Sequence, residues 1–415
     1  MTIERLQLVL QYYRFSIGFL LLSSVFALIF FAGQIFGSYP FYEWSIALVH
    51  LGTLGALTIG LMGLYQRVYF PLEEIRFQAW PLQTILIVLS LSVLLIFAGM
   101  GIQTWLLLGP GVLGVSISLL WWSIQYYRWF FQASREKRAG VLLFGALGVL
   151  GLVAALILGD YLLHSYMTAS VVQNFRLSHI HAGLVGWASL SLLGLGVALR
   201  GEESPVMGSV GTLRGSAWLW FVGMVFLIVL FAIWRLNLIL MAAGIILLGF
   251  LGYGYSMPKV DTPTASGGDS ETATAGRRLL PFIIVGFAAL FLTILLGFDI
   301  TANYPSGRAT PHRMLGVGGW LLMTYLMTML SEVPKTLRQL SQSNVDETST
   351  FTQPTMNAGI IRVGWIALTG SLVLALIGSF VSPKLLYAGS FLLALVTLVF
   401  IGYLAVRFRI YKKRT

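Results

Sequence analysis

Apolar residues fall along this chain in long runs rather than in alternation. Stretches of Leu, Ile, Val, Phe, Ala and Gly recur from one end to the other, each of 18 residues or more. A helix needs about 20 apolar residues to cross roughly 30 Å of hydrocarbon. Lipid offers no partners to a backbone, so a crossing segment is a helix or part of a closed barrel. Continuous runs, unlike an every-second-residue pattern, point to helices. The pattern predicts an all-α, polytopic membrane protein with twelve transmembrane helices, at about 12–37, 43–66, 80–99, 102–127, 139–163, 177–200, 215–234, 236–256, 279–299, 310–333, 358–381 and 384–406. Met1 to Arg14 reads as a short polar lead-in to the first of them. Polar hinges such as Asn237 and Pro383 separate tightly spaced pairs. Residues 257–278 and 334–357 are polar, and the first is rich in Thr, Ser and Gly, so both read as flexible cytoplasmic loops within a single membrane domain spanning 1–415.

Composition agrees and narrows the chemistry. The chain is 57% hydrophobic and 10% charged, against roughly a quarter charged for a soluble domain. There is no cysteine, which removes disulfides, iron–sulfur clusters, thiolate copper sites and covalent c-type haem attachment. In a soluble protein the net charge of +11 would suggest nucleic acid. Here it reads as loop bias. With the N-terminus in the cytoplasm, 21 basic residues lie inside and five outside, the five being Arg176, Arg235, Arg308, Arg313 and Lys384. That asymmetry places both termini in the cytoplasm, leaves the bilayer as the partner, and makes the basic tail from Arg407 to Arg414 an anchor at anionic lipid.

The five histidines, His50, His164, His179, His181 and His312, all fall in the outer half of the membrane under this topology. From His50 to His181 is 131 residues, and from His181 to His312 again 131. The flanking sequences run parallel: HLGTLGALTIG from His50, HAGLVGWASLS from His181 and HRMLGVGGWLL from His312. The preceding spans carry polar groups near their outer ends, at Gln34, Asp160 and Asp299. The chain thus reads as three pseudo-repeats of four helices, about 12–127, 139–256 and 279–406, with one equivalent histidine in each. His164 breaks the repeat and reads as interfacial.

An imidazole inside a membrane is a candidate functional group. Neutral imidazole ligates haem iron and copper, so His50, His179, His181 and His312 are the candidate metal and cofactor ligands. Arg176, Arg308 and Arg313 lie beside them and suit haem propionates by charge and fork geometry. Residues two apart on a helix point about 200° apart. His179 and His181 therefore serve two sites flanking one helix. Asp160 and Asp299 are candidates for a proton route at the same end, whereas the inner halves of the spans read as almost free of acidic residues.

These features resemble subunit I of the haem–copper oxidases and nitric oxide reductases: twelve helices in three arcs, with histidines near the outer face on spans two, six and ten. SHIHAGLVGW at 178–187 resembles the H-x-H segment of the cbb3-type catalytic subunit. HLGTLGALTIGLMGLYQ at 50–66 resembles the histidine-bearing helices of shorter relatives such as the NnrS-type haem and copper proteins. The resemblance implies one or two b-type haems, or copper, in a prokaryotic cell (inner) membrane. It also implies oxidoreductase chemistry with electrons, nitric oxide or oxygen, protons taken from outside without pumping, an electron-donor protein or quinol, and a further subunit or a homo-oligomer. The sequence departs from the oxidases in two ways. Their H-x-H lies on span ten rather than six, and their span seven carries two copper-ligating histidines where 215–234 has none. By analogy His181 pairs with His312 and His179 with His50; pairing of His50 with His181 is the alternative. Two other functions compete: a non-catalytic haem or copper protein acting as sensor, accessory or metal carrier, and a transporter. A transporter would spread its polar groups through the depth of the bilayer.

Overall fold

A computed structural model describes residues 3–37, 42–68, 79–133, 141–167, 173–201, 210–256, 284–297, 309–344 and 358–412. Among the described residues the protein is all-helical and has no strand. We number the helices in chain order: α1 (Ile3–Phe36), α2 (Tyr42–His50 continuing to Val68), α3 (Ala79–Gly101), α4 (Trp105–Gln132), α5 (Val141–Met167), α6 (Gln173–His181 continuing to Gly201), α7 (Val210–Ala232), α8 (Ile239–Ser256), α9 (Ile284–Gly297), α10 (Ala309–Arg313 continuing to Asn344), α11 (Ala358–Val381) and α12 (Pro383–Lys412). Eleven of these are long and apolar enough to cross a membrane; α9 is the shorter one, and both its ends adjoin residues outside the described set. The protein is a multi-pass membrane protein. Its surface fits a lipid solvent: on α3, Ile87, Leu91 and Leu94 are exposed while Leu86, Leu89, Val93 and Ile96 on the other face are buried.

Two boundaries differ from expectation. The first helix is described from Ile3, so residues 3–14 belong to it rather than to a lead-in. Glu4, Arg5, Gln7 and Gln11 disguise an apolar stripe in which Leu6, Val9, Leu10 and Tyr13 are buried. The tenth helix does not stop at 333 but continues through Pro334 to Asn344. A proline inside a helix forfeits one backbone hydrogen bond, and here buried Val333 and Thr336 hold the turn in place. Residues 334–344 are therefore helix rather than loop, while 257–278 and 345–357 lie outside the described residues.

Helices α2, α6 and α10 share a feature that no helix propensity announces. Each is interrupted by a π-helical segment, at Leu51–Thr58, Ala182–Ser189 and Met314–Leu322. These begin one residue after His50, one after His181 and two after His312. π-Helix is rare and concentrates at functional sites. The three segments are tied together: the Trp187 indole donates to Thr58 Oγ1 at 3.1 Å, and the Trp320 indole to Ser189 Oγ at 2.9 Å. Tyr325 closes the set, its hydroxyl bonded to Ser16 and to the Ala56 carbonyl. The tight turns α3–α4 and α7–α8 also correspond: Gln103 and Trp234, 131 residues apart in the sequence, are the two non-glycine residues with positive φ among those described. Trp187→Phe and Trp320→Phe put a smaller aromatic ring in place of the indole and lose the hydrogen bonds. Each is expected to lower stability by about 1 kcal/mol, seen as a reduced Tm in detergent.

Candidate functional site: four imidazoles at one end of the helices

The histidine-bearing turns sit at one end of the structure, where α2, α6 and α10 begin. His50 donates Nδ1–H to the Ile46 carbonyl at 2.9 Å and His181 to the Leu177 carbonyl at 2.8 Å, each one turn back on its own helix. His179 and His312 bond across to the preceding helix instead. His179 Nδ1 donates to Ala155 O at 2.8 Å, and His312 Nδ1 to Thr293 O at 2.9 Å. A carbonyl can only accept, so all four rings carry their proton on Nδ1, an assignment that follows from the bonding pattern. In the neutral imidazole Nε2 then keeps its lone pair. This second bond is the kind that orients a metal-binding imidazole and strengthens it as a ligand.

Room for the two cross-bonded rings comes from glycine. Gly159 and Gly297 each stand four residues beyond the accepting carbonyl, on α5 and α9. A methyl group on Gly159 would lie 3.1 Å from His179 Cε1, and one on Gly297 would lie 3.4 Å from His312 Cε1. Gly159→Val is expected to push the His179 ring out of position while leaving the α5–α6 packing below it in place. The check is whatever metal or haem absorbance depends on His179, compared with a Gly297→Val protein, in which the other pair is disturbed.

The structure brings His50 and His179 together. His50 and His179 face one another with ring centroids 6.2 Å apart and planes within 21°. Two imidazoles binding one metal through nitrogens at about 2.0 Å, with each ring centre about 1 Å behind its nitrogen, would have centroids about 6 Å apart. The observed separation is close to that value. His181 points away from that pair, as the H-x-H spacing requires. It lies against Phe231, centroids 4.6 Å apart. Two of the four rings are thus bonded to their own helix and two to the preceding one.

The remaining predicted residues are distributed as follows. His164 is exposed near the end of α5. Arg176 is half-buried one turn before His179, and Arg313 is exposed, with a 3.5 Å contact from Nη2 to Thr310 Oγ1. Asp160 is exposed and accepts from Ser116 Oγ at 3.1 Å. Asp299 and Arg308 lie outside the described residues. Among the described residues no three metal-binding side chains come together, so the paired imidazoles are the binding elements on view.

The expectation that the opposite halves of the spans are almost free of acid needs correction. Glu332 on α10 is fully buried, 3.7 Å from Arg67 Nε of α2 and 3.1 Å from Lys335 Nζ. Arg5, Gln66 and Arg67 are buried around it. The sequence signal was available: Glu332 is a carboxylate near the end of an apolar run. What was missing was Arg67, which only folding brings beside it.

Compared with protein-family models and with curated proteins, the chain matches none.

Proposed function

We propose that each imidazole pair holds one haem b iron through Nε2, His50 with His179 and His181 with His312, and that the protein is a membrane redox protein built in three four-helix repeats like subunit I of the haem–copper oxidases. The carrying observation is the His50–His179 pair: two rings with protonated Nδ1 bonded away, held 6.2 Å apart and nearly parallel. The π segments that follow His50, His181 and His312 at matching places support the repeat. The positive-inside asymmetry supports cytoplasmic termini, with the haems near the outer face of a prokaryotic cell membrane.

When bound, haem iron supplies one-electron exchange. The chain's own residues then do three things. The four Nδ1–H···O=C bonds hold the rings in the ligating tautomer, so no reorganisation is needed on binding. Gly159 and Gly297 let two rings approach the neighbouring helix closely enough to reach those carbonyls. Arg176 and Arg313 stand at the same end as partners for propionates. A haem held by both imidazoles of a pair would supply electron transfer. Chemistry on nitric oxide or oxygen requires one of the two irons to open a position, and carbon monoxide binding to the reduced protein tests that directly. Copper in place of haem, and a role as sensor, accessory or carrier, differ in their metal content and visible spectrum. Those are the first quantities to measure on detergent-purified protein, oxidised and dithionite-reduced.

A further inference from the structure

His50 and His181 stand at matching places in their helices but have different rings beside them. Phe231, in the last turn of α7, is buried, and its ring lies against the imidazole of His181 with centroids 4.6 Å apart and planes 33° from parallel. That falls within the range of an offset aromatic contact. Other bonds hold the two turns together. Asn174 Nδ2 of α6 donates to the Ala232 carbonyl at 3.3 Å, and Ser178 Oγ donates to the Ile228 carbonyl at 2.9 Å, the nearer of its two acceptors. The last carbonyls of a helix find no partner within it, so α6 caps the end of α7 with the same turns that carry His181. Phe231 lies between Ile228 and Ala232, and the caps fix its ring beside the imidazole.

At the corresponding α3–α4 turn the aromatic contact falls elsewhere. Three residues before Gln103 stands Met100, where three residues before Trp234 stands Phe231. Phe97 of α3 packs edge-on to Trp44 of α2, centroids 5.5 Å apart, and Trp44 is six residues before His50. The ring facing His50 is His179. Two restraints therefore meet on His181. Its Nδ1–H bond to the Leu177 carbonyl at 2.8 Å fixes one edge of the ring, and Phe231 covers one face. Turning the imidazole about its Cβ–Cγ bond would break the first and lose the second. An apolar ring against a ligand also keeps water from it, and the dielectric around an axial ligand is one of the means by which a protein sets a haem potential. Water favours ferric iron, which carries one more positive charge than ferrous, so excluding water raises the potential.

We propose that Phe231 is a positioning residue for the site that His181 serves: it holds the plane of the imidazole and keeps water from it, which fixes the ligand orientation at that iron and raises its potential. The inference rests on His181 ligating haem. Phe231 acts through His181 and leaves the site of His50 and His179 unaffected.

The test uses the haem-loaded full chain in detergent, with EPR of the oxidised protein and a redox titration of the reduced α-bands. The component that disappears in His181→Ala marks the site. In Phe231→Ala that component should change its EPR g-values and become harder to reduce by about tenfold in its reduction equilibrium, roughly 59 mV for one electron. The other component should keep its wild-type values, and Phe231→Tyr, which restores a flat ring, should bring both properties back. Ser178→Ala loosens the last turn of α7 without altering Phe231 and should move the same component in the same direction. It decides the matter if Phe231→Ala loses haem: an unmoved component in Ser178→Ala then overturns the role of Phe231. Unchanged g-values and potential in haem-loaded Phe231→Ala, or equal shifts in both components, overturn it too and leave the haem assignment standing. Wild-type protein with no Soret band, or a His181→Ala protein with its full spectrum, overturns the haem assignment and this inference with it.

Discussion

His50→Ala and His179→Ala are expected to erase the same half of the visible spectrum, and His181→Ala and His312→Ala the other half. Under the proposed pairing, a spectrum of two components should lose one component per pair rather than one per residue. Removing either ring leaves the partner imidazole without the geometry that the 6.2 Å separation provides. The loss in each component should be nearly complete, because a bis-imidazole site cannot close on one ligand. His164→Ala is the control and should leave both components untouched. Reduced-minus-oxidised difference spectra of the five variants, with iron per polypeptide, check this. A pattern in which His50→Ala and His181→Ala act together would instead favour the other pairing.

The second large effect lies at the opposite end. Arg67→Met leaves Glu332, which has no solvent exposure, without its partner from α2. Breaking a buried ion pair by removing one side costs about 3–5 kcal/mol, whereas replacing both partners with uncharged residues costs far less. Arg67→Met should therefore destabilise strongly. The double variant Arg67→Met, Glu332→Gln should recover a large part of the loss, although Lys335 beside Glu332 then keeps its charge. Tm in detergent for the two single variants and the double variant gives the coupling energy. Additive effects would mean that the two side chains do not act as a pair.

Much of the molecule was readable from sequence for a simple reason. A bilayer forces every crossing segment to be long, apolar and helical, so the helices announce themselves. The imidazoles were also legible, because few polar residues interrupt those runs and His50, His181 and His312 keep a 131-residue interval. The opposing directions of His179 and His181 follow from helical geometry alone. Three things were not legible. The π segments have no composition of their own, since Leu51–Thr58 reads like any other Gly-rich helix; the backbone register there is fixed by indole bonds from Trp187 and Trp320 to residues on other helices. The start of α1 was hidden by polar residues, among them Arg5, which is buried. Glu332 was overlooked because its partner Arg67 is distant in the chain and meets it only in the fold.

The central claim is that paired imidazoles hold haem. The most direct measurement is the haem and iron content of the purified wild-type chain, read together with its reduced spectrum. The account predicts two irons and two haems b per polypeptide, with sharp reduced α-bands that belong to bis-imidazole iron. Protein that carries no iron and shows no Soret band when purified from haem-replete cells would contradict it.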